Sequence, residues 1–147
     1  MNKWTINRIA FLVLGFLGLA GICVGQRYLF YDPLQDYVYK PMLGGRPDIN
    51  ALQYIGGKMV RYMLNDGFAM MVIFAFFPER KYLKLAFYVF LFGLLFLLPI
   101  YFVAVFYFFK RVFPYLNHIH RLVLNPVLML MLMLIPAILY QKKTLQV

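Results

Sequence analysis

The sequence predicts an all-α, polytopic membrane protein: one integral domain over residues 1–147 with four transmembrane helices and a tyrosine-rich interfacial segment between the first two. Three observations carry that reading. The chain is 64 % hydrophobic and 14 % charged, against roughly one-half and one-quarter in soluble domains. Four apolar runs, about 8–25, 52–77, 84–109 and 122–140, are long enough to cross a bilayer whose hydrocarbon core is about 30 Å thick. The 15 lysines and arginines stand singly or in small groups where those runs end, as in membrane proteins. The net charge of +10 therefore points to anionic lipid headgroups. It does not point to nucleic acid, because no basic face with interleaved aromatics is present.

The first run follows the basic start MNKWTINR and extends from Ile9 to Val24. Gly18-Leu19-Ala20 has the small residues of a signal cleavage site. The apolar character continues past it and further spans follow, so an uncleaved signal-anchor helix is expected. Ile22 stands before Cys23, where a lipoprotein signal wants a small residue.

Residues 26–47 are too polar to span. Tyr28, Phe30, Tyr31, Tyr37 and Tyr39 suit the headgroup zone, where a ring is apolar at one end and wet at the other. Asp32-Pro33 reads as an N-cap with proline at the first helical position of a short interfacial helix. Gly44-Gly45 turns the chain, and Asp48 after Pro47 is the expected cap of the second span. Arg27, Tyr28, Tyr31, Asp32 and Tyr37 form the predicted partner surface, since tyrosine and arginine dominate interface hot spots.

The second span carries the chain's main functional signal. At about 1.5 Å per residue from Phe77, Asp66 sits roughly 17 Å deep, near the middle of the hydrocarbon core. An intramembrane carboxylate must face protein, a partner or water, or hold a proton. One helical turn sets Arg61 against Asn65 and Tyr62 against Asp66. Arg61 and Asp66, five positions apart, are about 140° around the helix, so Asp66 is expected to find a cation elsewhere, Arg27 or Arg121 being nearest in kind. Arg61, Tyr62, Asn65, Asp66 and Arg121 are thus a predicted binding or structural polar cluster. Such residues most often lock helices together. The alternative is a proton path centred on Asp66.

The third span is uncharged from Leu85 to Phe109 and holds eight phenylalanines. Residues 112–121 read as a surface loop with Pro114, His118 and His120. The fourth span has Asn125-Pro126 near its start and a kink expected at Pro136. Four crossings place both termini on one side. Flanking basic residues number seven there and eight opposite, so the positive-inside rule does not decide. The basic start and the Arg80, Lys81, Lys84 cluster favour cytoplasmic termini.

Signals for catalysis are sparse. There is no serine, and Thr5 and Thr144 lie at the chain ends, which excludes a serine hydrolase. Cys23 is the single cysteine. With His118 or His120 as base and an arginine for the oxyanion it would make an acyl-transfer site, but lone membrane cysteines usually serve as small apolar filler. His118 and His120 on one side of an extended loop, with Asp32 or Asp36, form too incomplete a ligand set for a metal. No metal and no cofactor is expected.

The order of basic start, helix, surface segment Arg27-Tyr-Leu-Phe-Tyr-Asp32-Pro33-Leu34 and then Arg61-Tyr62-Met-Leu-Asn65-Asp66 resembles the exosortase F-associated membrane proteins of Bacteroidota. That resemblance implies a multi-pass accessory protein of the bacterial inner membrane. Its partners would be membrane lipids and another integral membrane protein such as an exosortase, in a protein-sorting system. A non-enzymatic partner subunit is therefore the expected function. The alternatives are a small cysteine enzyme using Cys23 with His118 or His120, and a proton-coupled carrier built on Asp66.

Overall fold

A computed structural model describes residues 6–34, 48–112, 115–125 and 131. Regular structure among them is helical, without strands. The elements are α1 (Ile6–Leu29), α2 (Ala51–Phe76), α3 (Arg80–Tyr107), α4 (Phe109–Val112) and α5 (Leu116–Leu124). Among the described residues three helices are long and apolar enough to span a membrane, over Ile6–Gln26, Ala51–Phe76 and Arg80–Tyr107. This is the architecture of an integral membrane protein.

The central helix is α2, and α1 lies antiparallel against it. Near one end Arg8 Nε donates to the Ala75 carbonyl at 3.1 Å and its Nη2 to that of Phe76 at 3.3 Å. A cation there satisfies carbonyls at the negative end of the α2 dipole. Phe11 then meets Phe74 edge to face at 5.2 Å. Next, Gly15 and Gly18 let the backbones approach: a Cβ at 15 would stand 2.6 Å from Val72 Cγ2, and one at 18 would collide with the Phe68 ring. Small residues at such spacing are how membrane helices pack closely when lipid is as apolar as their side chains. The Gly18-Leu19-Ala20 stretch thus lies inside a continuous, packed helix.

On its other side α2 meets α3. Ala69, Ile73 and Ala86 form one small buried cluster, and Tyr62 stacks on Phe90 at 5.8 Å. The α3 helix is continuous but includes a π-helical turn at Gly93–Leu97. There the Leu98 N–H bonds back five residues to the Gly93 carbonyl, one residue before Pro99, which has no N–H and whose ring crowds the preceding turn. Glycine is required at position 93 because a methyl there would collide with the Tyr62 hydroxyl.

Two boundaries differ from expectation. The cap of α2 is Asn50 and not Asp48: Asn50 is extended, and its side chain accepts from the Gln53 N–H at 3.3 Å. With Ala51 as the first helical residue, only position 50 can reach the N3 amide. The predicted loop 112–121 is largely helical, as α4 and α5. The latter ends at Asn125, extended at φ −92°, ψ 147°, because the residue before a proline disfavours the α region. Beyond Asn125 the expected fourth span, including Pro136, lies outside the described residues except for Met131.

Candidate functional site: a buried polar cluster at the Ala51 end of α2

Tyr54, Lys58, Arg61 and Asn65 follow one another at steps of four, three and four residues, which keeps them on one helix face. That face is buried against α3, α5 and the segment that follows α1. Lys58 is 1 % exposed, and Arg61, Asn65 and Asp66 are 5 % exposed. Charged groups at such burial need partners.

The Lys58 ammonium pairs with Asp32 Oδ2, both side chains being removed from solvent at 1 % and 5 % exposure. Asp32 reaches it because the chain leaving α1 folds across α2. A Cβ on Gly57 would lie 3.7 Å from the Tyr31 backbone, and Phe30 and Leu34 are buried on either side of the crossing. The sequence suggests a partner surface for Asp32; its carboxylate is instead inside the bundle. Residues 33 and 34 are helical, in keeping with a helix opening at Pro33.

A hydrogen-bonded relay runs beside the ion pair. Arg61 Nη1 lies 3.4 Å from His120 Nε2, His120 Nδ1 is 3.1 Å from Tyr101 Oη, and Tyr101 Oη is 2.7 Å from Tyr54 Oη. A guanidinium only donates, so Nε2 accepts and the ring proton sits on Nδ1, which donates to Tyr101. The Tyr101 and Tyr54 hydroxyls share the last hydrogen bond, in which either can donate. His120 Nε2 is also 3.9 Å from Asp32 Oδ2, so the pair and the relay are one cluster. Two of its buried atoms, Asp32 Oδ1 and Arg61 Nε, have no hydrogen-bond partner among the described residues.

The remaining polar residues of α2 bind neighbouring elements. Asn65 Nδ2 donates to the Leu124 carbonyl at 2.8 Å, one of the carbonyls left open at the end of α5. The Tyr62 hydroxyl donates to the Phe90 carbonyl at 3.0 Å. No cation among the described side chains forms an ion pair with Asp66; the group it meets is the Tyr62 hydroxyl one turn earlier. Of the two expected cations, Arg121 is exposed, and the Arg27 side chain lies outside the described residues.

No protein family matches this chain, and no curated protein or solved structure matches it either. The site is therefore read from its own chemistry.

Helical geometry separates the two histidines. His118 is exposed while His120 turns into the cluster, so they do not share the side of an extended loop. Among the described residues no group of three His, Cys, Asp or Glu side chains is arranged to hold a metal. Cys23 is exposed on α1, within electrostatic reach of Arg61 but without a hydrogen bond to either histidine. Tyr28 is 93 % exposed and Tyr31 is 41 % exposed; Tyr37 lies outside the described residues. Lys58, Tyr54 and Tyr101 are members that the sequence reading missed. The spacing of 54, 58, 61 and 65 was the available signal for the first two. Tyr101, inside a phenylalanine-rich run, offered none.

Proposed function

We propose that this chain is a non-enzymatic accessory subunit of a bacterial inner-membrane protein-sorting system of the exosortase type. It has four spans and cytoplasmic termini, and it presents the Ala51 end of the bundle outward. The observation that carries this reading is how the polar face of α2 is spent. Lys58, Arg61, Tyr62 and Asn65 between them bind three other stretches of the chain, Lys58 the segment after α1, Tyr62 α3, and Arg61 and Asn65 α5, the pattern of residues that order a scaffold. Tyr28 and Tyr31 remain exposed beside that scaffold, the residue type best suited to anchor a partner. The entry of α5 into the bundle, where the Leu124 carbonyl reaches Asn65 at mid-helix, supports a fourth transmembrane element. The family resemblance supplies the partner class.

Co-expression with an exosortase-type enzyme and co-purification in mild detergent tests this. Tyr28→Ala and Tyr31→Ala should each weaken recovery of the enzyme, by about 1 to 4 kcal/mol at a hot spot, while the chain still inserts. Replacing Arg80, Lys81 and Lys84 with alanine should leave recovery intact; the reverse order would place the interface on the other side of the membrane and end this reading. Normal function of Cys23→Ala and of Asp66→Asn would set aside the enzyme and carrier alternatives respectively.

A further inference from the structure

Asp66 is buried within α2, and no cation among the described side chains forms an ion pair with it. Of the described residues one titratable side chain acts on it, Tyr62 of the same helix; none from α1, α3 or α5 does. Residues four apart on a helix are surface neighbours, so the carboxyl and the Tyr62 hydroxyl meet one turn apart. The same hydroxyl lies 3.0 Å from the Phe90 carbonyl oxygen on α3. One hydroxyl therefore has an oxygen of Asp66 and an oxygen of Phe90 beside it.

Counting hydrogens decides how that contact is made. A hydroxyl carries one, and a carbonyl carries none. Two oxygens 3.0 Å apart with no hydrogen between them repel, so the Tyr62 hydrogen lies on the line to Phe90. The hydrogen between Asp66 and Tyr62 must then come from the carboxyl, which donates only when protonated. An ionised Asp66 would instead claim the Tyr62 hydrogen, set two bare oxygens against each other at Phe90, and stand buried without a cation. We propose that Asp66 is a protonated acid in this bundle and that its proton is a latch between α2 and α3, running from Asp66 through the Tyr62 hydroxyl to the Phe90 carbonyl. The latch bears on the irregular stretch of α3. The Tyr62 ring stacks on Phe90, and its hydroxyl stands where a Cβ on Gly93, the first residue of the π-helical turn, would collide with it. Such turns are frequent at functional sites. Loss of the proton draws the hydroxyl toward Asp66 and away from Phe90, which frees that turn from α2. The relay ends on a backbone carbonyl with no hydrogen to pass on, so the arrangement holds a proton and does not conduct one.

Infrared spectroscopy of the full chain in neutral detergent tests the protonation directly. The chain has five Asp and Glu residues, so a carboxylic-acid C=O band can be assigned by substitution. The wild type should show such a band at neutral pH, and Asp66→Asn should lack it. Tyr62→Phe removes the acceptor of the carboxyl hydrogen and should move the band to higher wavenumber. The second readout is the unfolding midpoint against pH, measured relative to Asp66→Asn, whose amide donates to Tyr62 without titrating. The folded chain holds a proton that the unfolded carboxyl gives up, so stability falls as pH rises. The wild-type midpoint should therefore drop relative to Asp66→Asn as the pH is raised, and level off once the band is gone. A polar contact that holds no proton predicts no such drop. A wild type without the band at neutral pH overturns the proposal, whether or not the variants fold. So does a band that persists in Asp66→Asn, one that Tyr62→Phe leaves in place, or a midpoint that does not follow its loss.

Discussion

Lys58 and Asp32 place opposite charges where neither meets solvent, at 1 % and 5 % exposure. Removing one partner strands the other, which costs about 3 to 5 kcal/mol, whereas replacing both with apolar residues of similar size is often nearly neutral. Lys58→Met and Asp32→Leu should therefore each destabilise the chain strongly in detergent unfolding, and the double variant should recover most of the loss. Additive losses would show that the two do not act as a pair. Gly93 is a second decisive residue, because a Cβ there would also stand 2.9 Å from Tyr62 Cζ. Gly93→Ala should lower the unfolding midpoint by forcing Tyr62 off Phe90. Adding Tyr62→Phe should restore part of it, since the hydroxyl makes the closest approach.

For whole elements, the decisive contact is α1 on α2. Apart from the Arg8 bonds, that contact rests on shape complementarity at Gly15 and Gly18, so its strength depends on close backbone approach. Gly18→Leu should push Phe68 aside and separate the helices, read as a lowered midpoint and faster proteolysis between α1 and α2. Gly21→Leu, at a position where an added Cβ would have nothing within 4 Å, should change neither. Equal effects of the two substitutions would mean that α1 packs by some other face. The π turn of α3 belongs to the same scale: it is the local answer to Pro99 and brings Gly93 under Tyr62.

Across the molecule, the alternation of α1, α2 and α3 sets Asp48 and Tyr115 at one end and Glu79 at the other. All three are exposed. On a Cys23→Ala background, Asp48→Cys and Tyr115→Cys should react with an impermeant thiol reagent in intact cells, and Glu79→Cys should not. Reaction at Glu79→Cys alone would invert the proposed orientation, and reaction at all three would contradict a spanning bundle. The polar cluster and the aromatic residues Tyr28 and Tyr31 lie toward the end marked by Asp48.

Composition and hydropathy by themselves determined that the chain is helical and membrane-spanning, because the cost of unsatisfied backbone in lipid admits few other solutions for such apolar runs. They also marked Arg61, Tyr62, Asn65 and Asp66 as polar groups in a spanning helix. The sequence misplaced the ends of elements: Asn50 and not Asp48 caps α2, and α5 replaces a loop, since caps and breaks depend on a residue or two of register. Only the tertiary structure could pair Lys58 with Asp32 and join Arg61 through His120 to Tyr101 and Tyr54. Those partners are brought together by chain crossings between elements distant in sequence. In a buried site the identity of the partner, more than the position of the charge along its own helix, decides what that charge can do.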